Sequence, residues 1–133
     1  MLLPATTANV KSDGTGTIAT DILLAFTAGT NGSMVYSIRF TPVASTAATA
    51  TTATTLRAFV STQTTGATTN ANTSNLCEVS ATTQTADHST NATFFIEIPV
   101  NKIIPTGSAI LVSQHVVAAA ATAWQVLVFG GDF

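Results

Sequence analysis

Charge is the scarcest commodity in this chain. Of its 133 residues only four are Lys or Arg and six are Asp or Glu, 8% in all, against roughly 25% in an ordinary soluble domain. The cations Lys11, Arg39, Arg57 and Lys102 are scattered, so there is no basic footprint for nucleic acid. There is one cysteine, Cys77, which excludes an internal disulfide. No apolar run reaches the ~18 residues of a membrane span. Met1-Leu2-Leu3-Pro4 has neither the basic region nor the apolar stretch of a signal peptide, which gives the expectation of synthesis and folding in a cytoplasm. Helical periodicity is missing as well: no segment repeats apolar residues at i, i+3, i+4 and i+7 over three turns.

Threonine and alanine stand where charge would be, and 46% of the chain is hydrophobic. Disordered chains have the reverse composition. Threonine is β-branched and suits a pleated strand, and its hydroxyl keeps an uncharged surface wet. A surface so poor in charge favours association, so part of it is expected to be covered by other chains.

Strand signals recur along the sequence. Residues 17–26 form a first candidate, followed by Asn31-Gly32, a strong hairpin-turn signal. Met34, Tyr36, Ile38 and Phe40 then alternate with Val35, Ser37, Arg39 and Thr41, which predicts the first set inward and Val35 outward, with Pro42 ending the strand. Leu56 and Val60 face inward in 54–62, with Arg57 and Phe59 outward. A further strand is expected at about 75–83. Phe94, Ile96 and Ile98 are inward and Phe95 and Glu97 outward from residue 94 on. Segments 108–117 and 123–129 complete the set, the latter with Trp124, Val126 and Val128 on one face. The reading is an all-β fold: an antiparallel two-sheet β-sandwich, jelly-roll-like, of seven to eight strands. An immunoglobulin-like sandwich is the rival, without its Cys…Trp…Cys spacing. Residues 1–12 read as an N-terminal arm and 13–133 as a single β-sandwich domain.

Residues that carry chemistry are few. Asp87-His88-Ser89 reads as a solvated loop, because adjacent residues do not make a triad. His115 lies alone in an apolar strand, and Cys77 and Glu78 are strand neighbours pointing to opposite faces, so no metal set forms. Gly14-Thr15-Gly16 lacks the Gly-Lys-Ser/Thr ending of a phosphate loop and reads as a turn. A cross-strand pair of Arg57 with Glu97 is allowed by their shared outward orientation. No catalytic residue, cofactor or metal is expected, and the chain is read as not an enzyme.

Five pieces in fixed order carry a family resemblance. They are Lys11-Ser12-Asp13-Gly14-Thr15-Gly16-Thr17; Phe26-Thr27-Ala28-Gly29-Thr30-Asn31-Gly32-Ser33 running into Ile38-Arg39-Phe40; Thr55-Leu56-Arg57-Ala58-Phe59-Val60; Ile98-Pro99-Val100 with Ile104-Pro105-Thr106-Gly107; and Ala123-Trp124-Gln125-Val126 through Phe129-Gly130-Gly131-Asp132-Phe133. Together they resemble a family of short tailed-bacteriophage virion structural proteins. Two positions depart from the family pattern: Phe133 stands where a terminal Tyr is common, and Thr106 where Ala is usual. The resemblance implies a β-sandwich on the virion surface, assembled in the host cytoplasm, and a capsid decoration or cement protein that is a homotrimer. Its partner would be the major capsid protein or another virion protein, with no nucleic-acid or membrane partner. The alternative is a head-fibre or tail/baseplate component that binds host-surface glycans. The candidate interface is Met1, Leu2, Leu3, Pro4, Val35, Phe59, Phe95 and Phe133, with the arm through about Val10 docking on a neighbouring chain.

Overall fold

The structure, a computed structural model, describes residues 2–3, 7–46, 49–87, 89 and 94–133. Among these there is no helix. The strands are β1 (Leu2–Leu3), β2 (Gly16–Thr17), β3 (Leu23–Thr27), β4 (Ser33–Ala44), β5 (Thr49–Ala50), β6 (Thr54–Ser61), β7 (Ala67–Thr68), β8 (Thr73–Ala81), β9 (Thr85–Ala86), β10 (Ile96–Ile104), β11 (Ala109–Gln114) and β12 (Thr122–Asp132). Two four-stranded sheets, β1-β12-β4-β10 and β3-β11-β6-β8, form the sandwich, and β2·β7 and β5·β9 are two-residue ribbons beside it. All strand pairs are antiparallel.

Numbered along the chain, the eight sandwich strands are β1, β3, β4, β6, β8, β10, β11 and β12. The first pairs with the eighth, the second with the seventh, the third with the sixth and the fourth with the fifth. That is a long hairpin rolled up on itself, with sheet orders 1-8-3-6 and 2-7-4-5: the jelly roll expected from the sequence. The roll also corrects the reading of Asn31-Gly32. β3 and β4 lie in different sheets, so this turn crosses between the layers instead of closing a hairpin. Gly32 still supplies the positive φ, 88°, that the turn needs. The strand expected over 17–26 is broken too. Ala19 takes φ 71° in a tight turn bridging Ile18 and Ile22, and β3 starts only at Leu23.

β4 carries the main departure from simple alternation. Phe129 of β12 pairs with Ser37, but Gly130 pairs with Val35, so Tyr36 is an extra residue on β4. On the other side Pro99 pairs with Ser37 and Lys102 with Val35, and β10 bulges at Val100–Asn101, where Asn101 has φ 49°. A bulge flips the phase of every side chain beyond it. Ile38 and Phe40 point inward as expected, whereas Tyr36 is exposed, Met34 is half-buried and Val35 is fully buried. Pro42 does not end the strand. It pairs with Trp124 of β12, and β10 has already run out at Ile96 opposite Phe40, so no ladder bond is lost on that side.

The layers enclose Leu3, Val35, Ile38, Phe40, Leu56, Ile110, Trp124 and Val126, with Val60, Ile96, Ile98 and Val128 partly buried against them. Phe94 was expected in this core. It is 36% exposed, because β10 begins two residues later. Leu3 is buried within its own chain: β1 pairs with Gln125 and Trp124 as an edge strand, so this part of the arm folds back on the sandwich. Met1 and Pro4 lie outside the described residues.

A second, smaller core corrects the reading of Phe59. Ile22, Phe59, Ala109 and Leu111 are buried together on the outer face of β3-β11-β6-β8, with Ile18 and Leu24 against them. The chain from Asn9 to Ile22 provides the cover. Thr68 Oγ1 donates to the Gly14 carbonyl (2.6 Å) and Asn75 Nδ2 to that of Ser12 (3.0 Å), while a Cβ at Gly14 would meet Thr73 at 2.5 Å and Phe59 at 3.2 Å.

Two outcomes follow. A Cβ at Gly130 would sit 2.3 Å from the Met34 carbonyl oxygen, whereas one at Gly131 would meet nothing within 4 Å. Gly130→Ala therefore lowers stability by about 1–3 kcal/mol, as overpacking does, and Gly131→Ala is near neutral; paired thermal melts would decide. Phe59→Ala costs roughly 3–5 kcal/mol in urea unfolding, a loss that an exposed phenylalanine would not produce.

Candidate interaction surface

The sequence motifs considered for chemistry resolve into structure. Asp13 Oδ1 accepts hydrogen bonds from the Thr15 hydroxyl and from the Thr15 amide (2.9 Å), so Gly14-Thr15-Gly16 is a capped turn. The hydroxyl, and next the amide, hold the Asp13 carboxyl below its ordinary value. The Asp87 carboxylate accepts from the amide and hydroxyl of Ser89 (2.8 and 2.7 Å), and His88 lies outside the described residues. Cys77 is half-buried, and burial pushes its thiol up. Among the described residues no three His, Cys, Asp or Glu side chains cluster to hold a metal. A groove of about 420 Å³ runs between Ile18–Ala19 and Thr64–Gly66 over Leu23 and Leu24; its lining carries no ionisable side chain.

The ion pairs differ from the one expected. Strand register sets both: Arg57 sits opposite Glu78 and Arg39 opposite Glu97. Arg57 is buried. Its Nε donates to Glu78 (3.0 Å) and its Nη1 to the Asn9 carbonyl (3.2 Å), and Nη1 lies 3.3 Å from His115 Nδ1. The Asn9 amide in turn donates to the Gln114 carbonyl (3.0 Å). Arg57 and the Gln114 carbonyl thus tie the N-terminal segment to the second sheet.

The outer face of β1-β12-β4-β10 is different. Register places Leu127, Arg39 and Glu97 in one row across three strands, and Phe129, Ser37 and Pro99 in the next. Arg39 donates through Nε (2.9 Å) and Nη2 (2.7 Å) to Glu97 Oε2, and Ser37 Oγ donates to Oε1 (2.6 Å). The guanidinium carbon lies 4.5 Å from the centre of the Phe95 ring and 5.0 Å from that of Phe129, within cation–π range. Around this closed cluster Tyr36 is 55% exposed, Phe95 52% and Ile103 65%, with Leu127 and Phe129 also exposed. The Arg39 and Glu97 charges are spent on each other; what the face offers outward is mostly apolar.

One end of the roll carries a latch. Ser33 Oγ donates to Asp132 Oδ1 (2.5 Å) and accepts from the Gly29 amide (2.9 Å). The Phe133 amide donates to the Gly32 carbonyl (3.2 Å), and Asn31 Nδ2 donates to the Phe133 carbonyl (3.3 Å). The Gly-Gly-Asp-Phe ending and the Gly29–Ser33 turn, far apart in sequence, are one structural unit.

Of the candidate interface residues, Phe95 and Phe133 are exposed and belong to the outer surface, while Leu3, Val35 and Phe59 are buried; Leu2 is placed by its backbone pairing with Gln125. Leu127, Phe129 and Ile103 already alternate outward, against Trp124, Val126 and Val128 and against Ile104; what simple alternation misplaces is Tyr36, which the bulge turns to the same face. The signal that finds it is Gly130-Gly131: glycine inside a strand marks a bulge or a close backbone approach.

Glu97 provides a titration that tests this cluster. The Ser37 hydroxyl, and next Arg39, hold its carboxyl below the ordinary value of 4.5. A depressed folded value means stability that is present above the unfolded value and is lost as pH falls through the folded one. Wild type therefore melts higher than Glu97→Gln at neutral pH, and the gap narrows below about pH 4.5; melting curves over an acid series would show a constant gap if the cluster did not form.

Comparison with protein families, with characterised proteins and with solved structures found no match to this chain, so the reading of this surface rests on its own geometry.

Proposed function

We propose that this chain is a non-enzymatic structural component of a larger assembly, a decoration or cement protein on the head of a tailed bacteriophage, and that it attaches through the outer face of β1-β12-β4-β10. The observation that carries the reading is the asymmetry of the two sheets. The chain covers the outer face of one with its own Asn9–Ile22 segment and leaves on the other a face with its ion pair closed and Tyr36, Phe95, Ile103, Leu127 and Phe129 outward. Contiguous apolar surface of this kind marks sites of protein contact. The mechanism is burial of that surface against the major capsid protein or another virion protein, with copies of the chain meeting as a homotrimer. Binding only the assembled shell would stabilise it by mass action.

A second reading has one observation in its favour. Tyr36, Phe95 and Phe129 are aromatic planes on a sheet face beside Arg39 and Glu97, an arrangement on which sugar rings could stack. On that reading the chain is a head-fibre or tail component that binds host glycans. Copy number in purified particles separates the two. A count that scales with capsid area supports decoration, and a count matching a tail or vertex supports the glycan reading.

Tyr36→Asp and Ile103→Asp test the face itself. Both side chains are largely exposed, so each change is expected to leave a cooperative fold at a cost of about 1 kcal/mol, the span of strand propensity. Each is expected to abolish co-sedimentation with particles; undiminished occupancy would place the contact elsewhere.

A further inference from the structure

The latch at the end of the roll encloses a reactive dipeptide. Asparagine followed by glycine is the sequence most open to spontaneous loss of the side-chain amide, because glycine has no side chain to obstruct its nitrogen. Asn31-Gly32 has that sequence, and Asn31 is exposed to water. Yet the structure engages both reacting groups. The Gly32 nitrogen, which must attack, donates to the Gly29 carbonyl (2.9 Å) across a tight turn. The Asn31 amide, which must leave, donates to the Phe133 carbonyl (3.3 Å). The Gly32 carbonyl accepts from the Phe133 amide (3.2 Å). Gly32 is itself buried, and a Cβ there would lie 3.1 Å from the Ile104 carbonyl oxygen, so the turn has little room to rearrange while the latch is closed.

We infer that Asn31 is a site of spontaneous deamidation gated by the docking of Asp132 and Phe133 on the Gly29–Ser33 turn. With the latch open, the Gly32 nitrogen bonds to Asn31 Cγ as it loses its proton. The Cγ–Nδ2 bond breaks and ammonia leaves carrying that proton, and a succinimide remains. Water then opens the ring at either carbonyl, giving aspartate or isoaspartate at position 31. No enzyme, oxidant or cofactor takes part. The product acts back on the latch. A carboxylate cannot donate to the Phe133 carbonyl as the amide did, and its charge joins that of Asp132 at the same end of the molecule. Isoaspartate also inserts a methylene into the backbone of the turn that the Gly32–Gly29 hydrogen bond closes. Modification therefore holds the latch open, and the change runs one way.

The test follows Asn31 by intact mass and by peptide mapping that separates aspartate from isoaspartate. The full chain is incubated in mildly alkaline buffer beside the same protein in denaturant, Asp132→Ala, a variant lacking Asp132 and Phe133, and Asn31→Gln. Folded wild type is expected to react several-fold more slowly than the denatured chain. Asp132→Ala, which removes the acceptor of the Ser33 hydroxyl, and the truncated chain should react at rates approaching the denatured one while retaining a cooperative melt. Asn31→Gln should show no product at this peptide. If the truncated chain does not fold, Asp132→Ala decides. Equal rates at Asn31 in folded wild type and in Asp132→Ala, or no difference between folded and denatured wild type, overturn the proposal.

Discussion

The extra residue at Tyr36 fixes what faces the core and what faces outward. β4 is the strand that holds its sheet together, paired along most of its length with β12 on one side and with β10 on the other. Because strand side chains alternate strictly, one unpaired residue on β4 exchanges inside for outside from there to the strand's start. Val35 enters the core while Tyr36 and Ser37 share the outer face. The bulge on β10 and the bare backbone of Gly130 are the same constraint seen from the two neighbours: one strand adds a residue to stay in register, the other gives up its side chain so that the Met34 carbonyl can approach.

Scarcity of charge makes the few ion pairs positional. Arg57 lies beneath the N-terminal segment, where a lone guanidinium would be costly, and its donors are used by a carboxylate and a main-chain carbonyl. Such an arrangement contributes less net stability than specificity of placement: it determines where Asn9 lies and hence how the second core closes over Phe59. Arg39 does corresponding work on the opposite face, but in partial contact with water, where it orders two phenyl rings and not a chain segment.

Much of the fold was legible from composition and alternation. Period-two runs found β4, β6, β10 and β12, and the absence of helical periodicity selected an antiparallel sandwich. Ile38, Phe40, Leu56, Trp124 and Val126 were placed correctly because they lie on the unshifted side of the bulge or on strands without one. The errors share one cause: local patterns were read without their non-local partners. Asn31-Gly32 has hairpin chemistry, but which strand follows which across the sandwich is settled by the rolled topology. Phe59 alternates as an outward residue, and only the return of residues 9–22 over that face makes it core. Arg57 and Glu97 share an orientation in sequence, yet register gives each another partner. The outer-face cluster was the least visible part, since it assembles from three strands and gains Tyr36 only through a bulge whose one local sign was a pair of glycines.

The closing of Arg39 onto Glu97 between two rings has a consequence for the conditions under which the face would hold a partner. Charges that satisfy each other within one molecule have little left to contribute across an interface, so contact through this surface gains little from long-range attraction and loses little to screening. What remains is the exclusion of water from Tyr36, Ile103, Leu127 and the phenyl edges. That force is strengthened by salts excluded from protein surfaces and weakened by cooling. Attachment through such a face would tolerate brine and loosen in the cold.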